Sequence, residues 1–232
     1  MMKMHIESKT PVSKRRTRRQ RGYEILEFGI MAIFLIPTFL WVFINGMNLI
    51  RFIQCSEICR DIGILYSQGV DFSTYTAQNV ASTLAQGYGL SIGTSYTGNE
   101  NNNDTNGGNA WVILSEVMYV GTSACSALPS TTTCTNSGKY VYLMHLDFGN
   151  KNLTINGNTL QSAIGNPSSA TINLEGYVQN YLTDVNAVAT YAGNFITLAD
   201  GQTAYVSEAF FASPTLDFSA YPGGGITSRT FF

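Results

Sequence analysis

The stretch FGIMAIFLIPTFLWVFINGMNLI, residues 28–50, carries no charged side chain over 23 consecutive positions. At about 1.5 Å rise per residue, a helix of that length covers roughly 34 Å, enough for a hydrocarbon core of about 30 Å. Arg51 ends the run. On the other side lie Tyr23, Glu24 and Glu27, then Gly22, then a basic block of Lys14, Arg15, Arg16, Arg18, Arg19 and Arg21. The pattern reads as a membrane-spanning helix with positive charge on one flank. It is longer than the apolar core of a secretory signal, about 7–15 residues, and no clean small-residue cleavage pattern follows it, so it reads as a retained anchor.

Charge is segregated along the chain. Eight of the 13 Lys and Arg lie in the first 21 residues, and from residue 23 onward 14 acidic residues face five basic ones. A basic flank before an apolar span places residues 1–22 on the cytoplasmic side and the acidic remainder outside. The block abuts the span directly, which makes it topogenic rather than nucleic-acid-binding. The acidic remainder lacks the clustered cations that phosphate neutralisation needs, so no nucleic-acid partner is expected. Three segments follow: a leader over 1–22, a long helix over 23–68 spanning the membrane at about 28–50, and an extracytoplasmic head over 69–232.

Within the long helix, Pro37 removes one intrahelical hydrogen bond and is expected to kink or loosen it. Beyond Arg51, the apolar positions Ile53, Ile58, Ile62 and Leu65 recur at helical spacing, with Glu57, Arg60 and Asp61 on a solvated side. The helix therefore continues out of the membrane and becomes amphipathic, with Gly63 weakening it and Gly69 ending it. A second helix is expected over Ser73–Tyr88, with Ala77, Val80, Ala81, Leu84 and Ala85 on one stripe and Thr76 or Ser73 as cap.

The Asn- and Gly-rich loop at 91–109 offers Glu100 and Asp104 as charged oxygens, without the ordered spacing of a calcium loop. The remainder reads as antiparallel sheet. Strands are expected over Ala110–Val120, Lys139–Phe148, Ala170–Leu174 and Gln202–Phe211, the last with Ser207 and Glu208 as a polar interruption. A hairpin turn is expected at Asn156-Gly157. Val178–Asp184 reads as a short helical turn and Ala187–Ile196 is ambiguous. The fold class is α+β: a long N-terminal membrane-spanning helix, then a mainly antiparallel β-sheet head with a short second helix.

Cys125 and Cys134 enclose a short Ser/Thr-rich loop, and a disulfide there suits an oxidising compartment; the alternative is two separate thiols. Cys55 and Cys59 share one helix face, at a spacing poor for a disulfide, and read as packed thiols or contacts to another chain. His5 and His145 are isolated, so neither metal nor cofactor is expected. No Gly-x-Ser-x-Gly elbow or phosphate-binding glycine loop is present, and no enzyme is expected.

The leader adds a resemblance. Arg18-Arg19-Gln20-Arg21-Gly22 followed by Tyr23-Glu24-Ile25-Leu26-Glu27-Phe28 resembles the class III signal of type IV prepilins and pseudopilins. More closely, the chain is similar to TadE-like minor pilins or pseudopilins of the Tad (Flp) pilus system. Ser207–Phe211 and Arg229-Thr230-Phe231-Phe232 resemble the closing segment of that family. The resemblance implies cleavage between Gly22 and Tyr23 by a membrane prepilin peptidase. It implies that Glu27 pairs with the freed Tyr23 amine of a neighbouring subunit. It also implies, as partners, other pilin or pseudopilin subunits, an inner-membrane Tad assembly platform and the lipid bilayer. Tyr23 and Glu24 depart from the small residues common after that glycine. The implied function is a structural subunit or assembly factor of a pilus or secretion apparatus in a bacterial inner membrane; a membrane-anchored extracellular adhesin or binding module is the alternative.

Overall fold

Helix-forming apolar residues dominate the chain's first element, α1, which runs from Arg18 to Ser67. The computed structural model describes residues 18–92, 108–155, 158–167, 169–212 and 225–232. The leader to residue 17, most of the Asn-rich loop, the Asn156-Gly157 turn and the segment holding Pro214 and Pro222 lie outside them.

α1 continues through Pro37, beside which Thr38 Oγ1 donates to the Phe34 carbonyl at 2.7 Å. It ends in a Schellman motif. Gly69 adopts φ +87°, its N–H donates to Tyr66 O, and the Val70 N–H donates to Leu65 O. A residue with a Cβ resists that left-handed turn, so Gly69 is what stops the helix. The chain packs as two compact units, 1–43 and 44–232. The part of α1 from Ile44 onward therefore belongs with the head.

α2 covers Tyr75–Gly87 and is capped by Thr74, whose side chain accepts from the Ala77 N–H. The cap is neither Thr76 nor Ser73. Thr74 is extended (φ −92°, ψ 144°) and places its oxygen over the third helical N–H. The expected stripe is also split. Ala77, Ala81 and Ala85 are buried together with Gln78 and Ser82, while Val80 and Leu84 point outward. Small side chains permit close approach to the head, so the alanines take the inner face.

The head's sheet contains β1 (Ala110–Val120), β2 (Lys139–Gly149), β5 (Thr203–Ala212) and β6 (Gly225–Phe231) in the order β2-β1-β5-β6, all antiparallel. β3 (Thr154–Ile155) and β4 (Asn158–Thr159) form a separate hairpin with Ile155 opposite Asn158. A four-residue helix, α3 (Thr122–Cys125), follows β1. β1 is buried on both faces, which is why it reads as a nearly continuous apolar run rather than an alternating one.

One face of the sheet presents Val112, Leu114, Phe148, Ala209 and Phe211 to Ile58, Ile62 and Tyr66 of α1 and to the alanines of α2. The other presents Val117, Tyr142 and Val206 to Ile164, Val178, Ala187, Ala189 and Ala192 from an irregular segment. A register shift opposite Glu116/Val117 leaves Leu143 of β2 as the extra residue. The architecture is the α+β one: a long apolar helix followed by a β-sheet head with short helices.

In the irregular segment the expected strand over Ala170–Leu174 does not form, while the short turn expected over Val178–Asp184 does. Ala170–Leu174 contributes a single bridge, Ile172 with Val178, and Val178–Asp184 is a hydrogen-bonded turn around Asn180. Ala187–Ile196 resolves into short 3-10 turns at Val185–Ala187 and Ala192–Asn194. The reason is edge protection. This segment spends its backbone groups on the outer edge of β2: His145 N–H to Gly176 O, Val178 N–H to Leu143 O, and Ala189 N–H to Tyr140 O, all at 2.8–2.9 Å. β5 runs unbroken through Ser207 and Glu208, correcting the expected interruption.

Candidate functional site

The apolar helix is the feature with the most unsatisfied chemistry. Its side chains from Phe28 to Phe43 are largely exposed on every side, Phe28 reaching 75%. A helix apolar all round needs an apolar solvent. Length and composition suit a single membrane crossing near the N-terminus. The chain is thus a membrane-anchoring helix joined to a folded head of extracellular type.

Gly22, Tyr23 and Glu27 all lie within α1 and are exposed. Tyr23 and Glu27 are four residues apart and share a helix face. Among the described residues no ion pair involves Glu27. The side chains of Arg18, Arg19 and Arg21 lie outside the described set.

At its other end α1 is seated on the sheet through a stripe of small residues at four-residue spacing. Cys55 Sγ meets Ala209 O at 3.7 Å, and Cys59 Sγ meets Ser207 O at 3.1 Å and Ser228 O at 3.5 Å. Gly63 completes the stripe; a Cβ there would collide with the Phe232 ring and stand 3.0 Å from Ser207 Cβ. The two cysteines are free, buried thiols, and burial pushes both pKa values up, so they are inert packing groups. The sequence marked Gly63 as a weak point of the helix; its role is to admit the Phe232 ring.

Behind this seat lies a polar group that sequence reasoning missed. Glu208 is buried, and its carboxylate accepts from Arg229 Nε at 2.6 Å, from the Ala163 N–H at 3.0 Å, and from Ser162 Oγ. Arg229 also sits 5.2 Å above the Phe195 ring, which itself stacks on Phe231. β5 and β6 pair Glu208 directly with Arg229, so the register of the last strand is what brings the charges together.

Cys125 and Cys134 are joined by a disulfide. Asp200 caps α3, which precedes this loop, by accepting from the Gly121 and Ser123 N–H groups at 2.7 and 2.6 Å, and these bonds hold its carboxyl below the usual range. Asn136, just after the loop, donates to Tyr181 O and Asp184 O.

His145 hydrogen-bonds Ser115 Oγ through Nδ1 at 3.1 Å. Ser115 is buried mid-strand, and Asp147 is committed to Lys151 at 2.7 Å and to Trp111 Nε1 at 3.3 Å. A nucleophile needs a base, an orienting acid and a reachable substrate position; here the acid is engaged elsewhere and the hydroxyl faces packed side chains. Among the described residues no three His, Cys, Asp or Glu side chains converge as metal ligands.

With this geometry in hand, comparison with known proteins returned nothing: no family model matches the chain, and no curated protein or solved structure is significantly similar to it.

Proposed function

We propose that this chain is a structural subunit or assembly factor of a Tad-type pilus or related secretion apparatus, joined to its neighbours through the N-terminal helix. The observation that carries this reading is one register: a basic leader, Gly22, Glu27 four residues beyond Tyr23, and a helix apolar on all sides. A carboxylate at the edge of hydrocarbon is costly unless it snorkels or pairs. The α-amine freed at Tyr23 of a neighbouring subunit is an economical partner for Glu27. Gly29 and Ala32, on the same helix, allow close approach between packed helices. The peptide to be cut lies inside α1, so a prepilin peptidase must first open that turn, which Gly22 favours as the weakest helix former there.

Mass spectrometry of the protein from cells with and without the peptidase tests this. The expected mature N-terminus is Tyr23, present only with the peptidase. An intact leader in the working protein overturns the reading, as does unimpaired assembly of Glu27→Gln. An anchored binding module then becomes the better account. It draws support from the head's outward aromatic side chains, Tyr177, Tyr191 and Phe195, and predicts ligand binding without processing.

A further inference from the structure

α2 carries no charged residue at any of its 13 positions. Its outer face shows Val80 and Leu84 at 47% and 36% exposure and, with Asn79, Thr83, Gly87 and Tyr88, lines an open groove. That is unlike the exposed side of α1 beyond the apolar run, where Glu57, Arg60 and Asp61 form ion pairs in solvent. A charge-free, partly apolar face on an otherwise acidic head needs an occupant.

The height of this face along α1 identifies one. Arg51 is the first charge after 23 uncharged positions, and its Nη1 donates to the carbonyls of Tyr88 and Gly89 at 3.2 and 3.1 Å and to Gln54 Oε1 at 3.2 Å. Gly89, at φ +71°, brings its backbone so close that a Cβ would stand 3.0 Å from that same nitrogen. The C-terminal end of α2 is therefore tied to the residue that ends the apolar run. Ile44–Ile50, the last part of that run, belong to the same compact unit as α2. The polar interfacial layer on each side of a hydrocarbon core is roughly 5–8 Å deep. The four residue steps from Leu84 to the C-cap Tyr88 cover about 6 Å. Tyrosine and arginine are the residues that anchor at this depth, and no charge has to be desolvated for Leu84 to enter it.

We infer that the C-terminal turn of α2, through Leu84, Gly87 and Tyr88, docks into the outer headgroup layer of the membrane that α1 crosses. Arg51 serves as the clamp that sets this depth. The head then meets lipid through α2 as well as through the end of the apolar run. This rests on the membrane-anchored reading of α1.

The test uses the full chain in phosphatidylcholine vesicles, with a bimane fluorophore attached separately at Leu84→Cys, Asn186→Cys and Phe34→Cys. Nitroxide lipids quench it, labelled either on the headgroup or deep in the acyl chain. The expected result is loss of Leu84-site emission with headgroup nitroxide, little loss at the exposed Asn186 site, and loss at the Phe34 site with acyl-chain nitroxide. Quenching at Phe34 without quenching at Leu84 overturns the docking while leaving the anchor intact. An unquenched Phe34 site overturns the anchor itself. Equal quenching at Asn186 and Leu84 overturns the specific role of α2. Disulfide-linked dimers of unlabelled Leu84→Cys that increase with protein density in the vesicles assign the groove to a second copy and also overturn the inference.

Discussion

Arg229 Nε lies 2.6 Å from Glu208 Oε1, and the carboxylate is only 1% exposed while the guanidinium remains 28% exposed. The acid is thus the committed partner. It sits on β5 with its oxygens filled by Arg229, Ser162 and the Ala163 N–H, joining the last strand to the segment that covers the sheet's second face. Removing one member of such a pair strands the other, at a cost of about 3–5 kcal/mol, whereas replacing both with apolar groups of similar volume is often near neutral. Arg229→Ala is therefore expected to lower stability strongly, and the double change Glu208→Leu with Arg229→Met to recover much of the loss. Thermal unfolding of the full chain in detergent, followed by circular dichroism, measures both.

Much of the architecture was legible because it rests on local signals. The span is a composition signal, Gly69 is a helix stop, and β1 and β2 are runs of β-branched and aromatic residues. Three things were not legible, and each depends on contacts distant in sequence. Val80 and Leu84 sit at the same periodicity as the buried alanines, and only the tight seat of α2 shows that the small residues go inward. Glu208 looked like a break in a strand because its partner, Arg229, lies 21 residues away. The segment 170–196 has no regular period because it is built of successive short turns, tied to the edge of β2 at Gly176, Val178 and Ala189. At the candidate site, the sequence located Tyr23 and Glu27 on one helix, with Gly22 as the end of the leader before it, but could not show how that helix is held at its far end; the helix in fact begins at Arg18 and includes Gly22.

The hold at that far end is itself testable. Gly63 faces Phe232 and Ser207 with no room for a Cβ. Gly63→Val adds bulk where the helix meets β5 and the chain terminus, and overpacking of this kind costs about 1–3 kcal/mol. A change at Gly46, which has nothing within 4 Å of a built Cβ, is the contrast. Gly63→Val is expected to lower the unfolding midpoint and to expose Cys59 to thiol reagents; Gly46→Ala is expected to do neither.

Acid sensitivity should trace in part to His145. Burial beside Ser115 and Tyr142 lowers its pKa below the ordinary 6.5, against the pull of Asp147. The unfolded chain then takes up the proton first, so stability falls as pH drops below about 6.5 and continues to fall until the folded pKa is reached. His145→Gln keeps a hydrogen-bonding side chain near Ser115 and removes the titration. Urea midpoints measured from pH 7.5 down to 4.5 are expected to flatten in that variant.

Tyr66 and Tyr142 make opposite predictions from the same side chain. Both are buried, and burial pushes both phenols up from their ordinary pKa of 10. Their folded pKa values exceed the unfolded one, so the associated stability is present below about pH 10 and is lost as the pH rises further. They differ in what the hydroxyl touches. Tyr142 OH donates to Gly165 O at 2.8 Å, while Tyr66 OH has no hydrogen-bond partner among the described residues. The Tyr66 ring is held by edge contacts, with Tyr205 at 5.4 Å and Phe72 at 6.5 Å between centroids. A phenylalanine keeps those contacts. Leaving a buried hydroxyl unsatisfied costs about 1–3 kcal/mol, while an ordinary hydrogen bond contributes about 1 kcal/mol. Tyr66→Phe is therefore expected to leave stability unchanged or raise it, and Tyr142→Phe to lower it by about 1 kcal/mol. Equilibrium unfolding of the two variants side by side decides this: a clear loss in Tyr66→Phe means that its hydroxyl has a partner, such as a buried water.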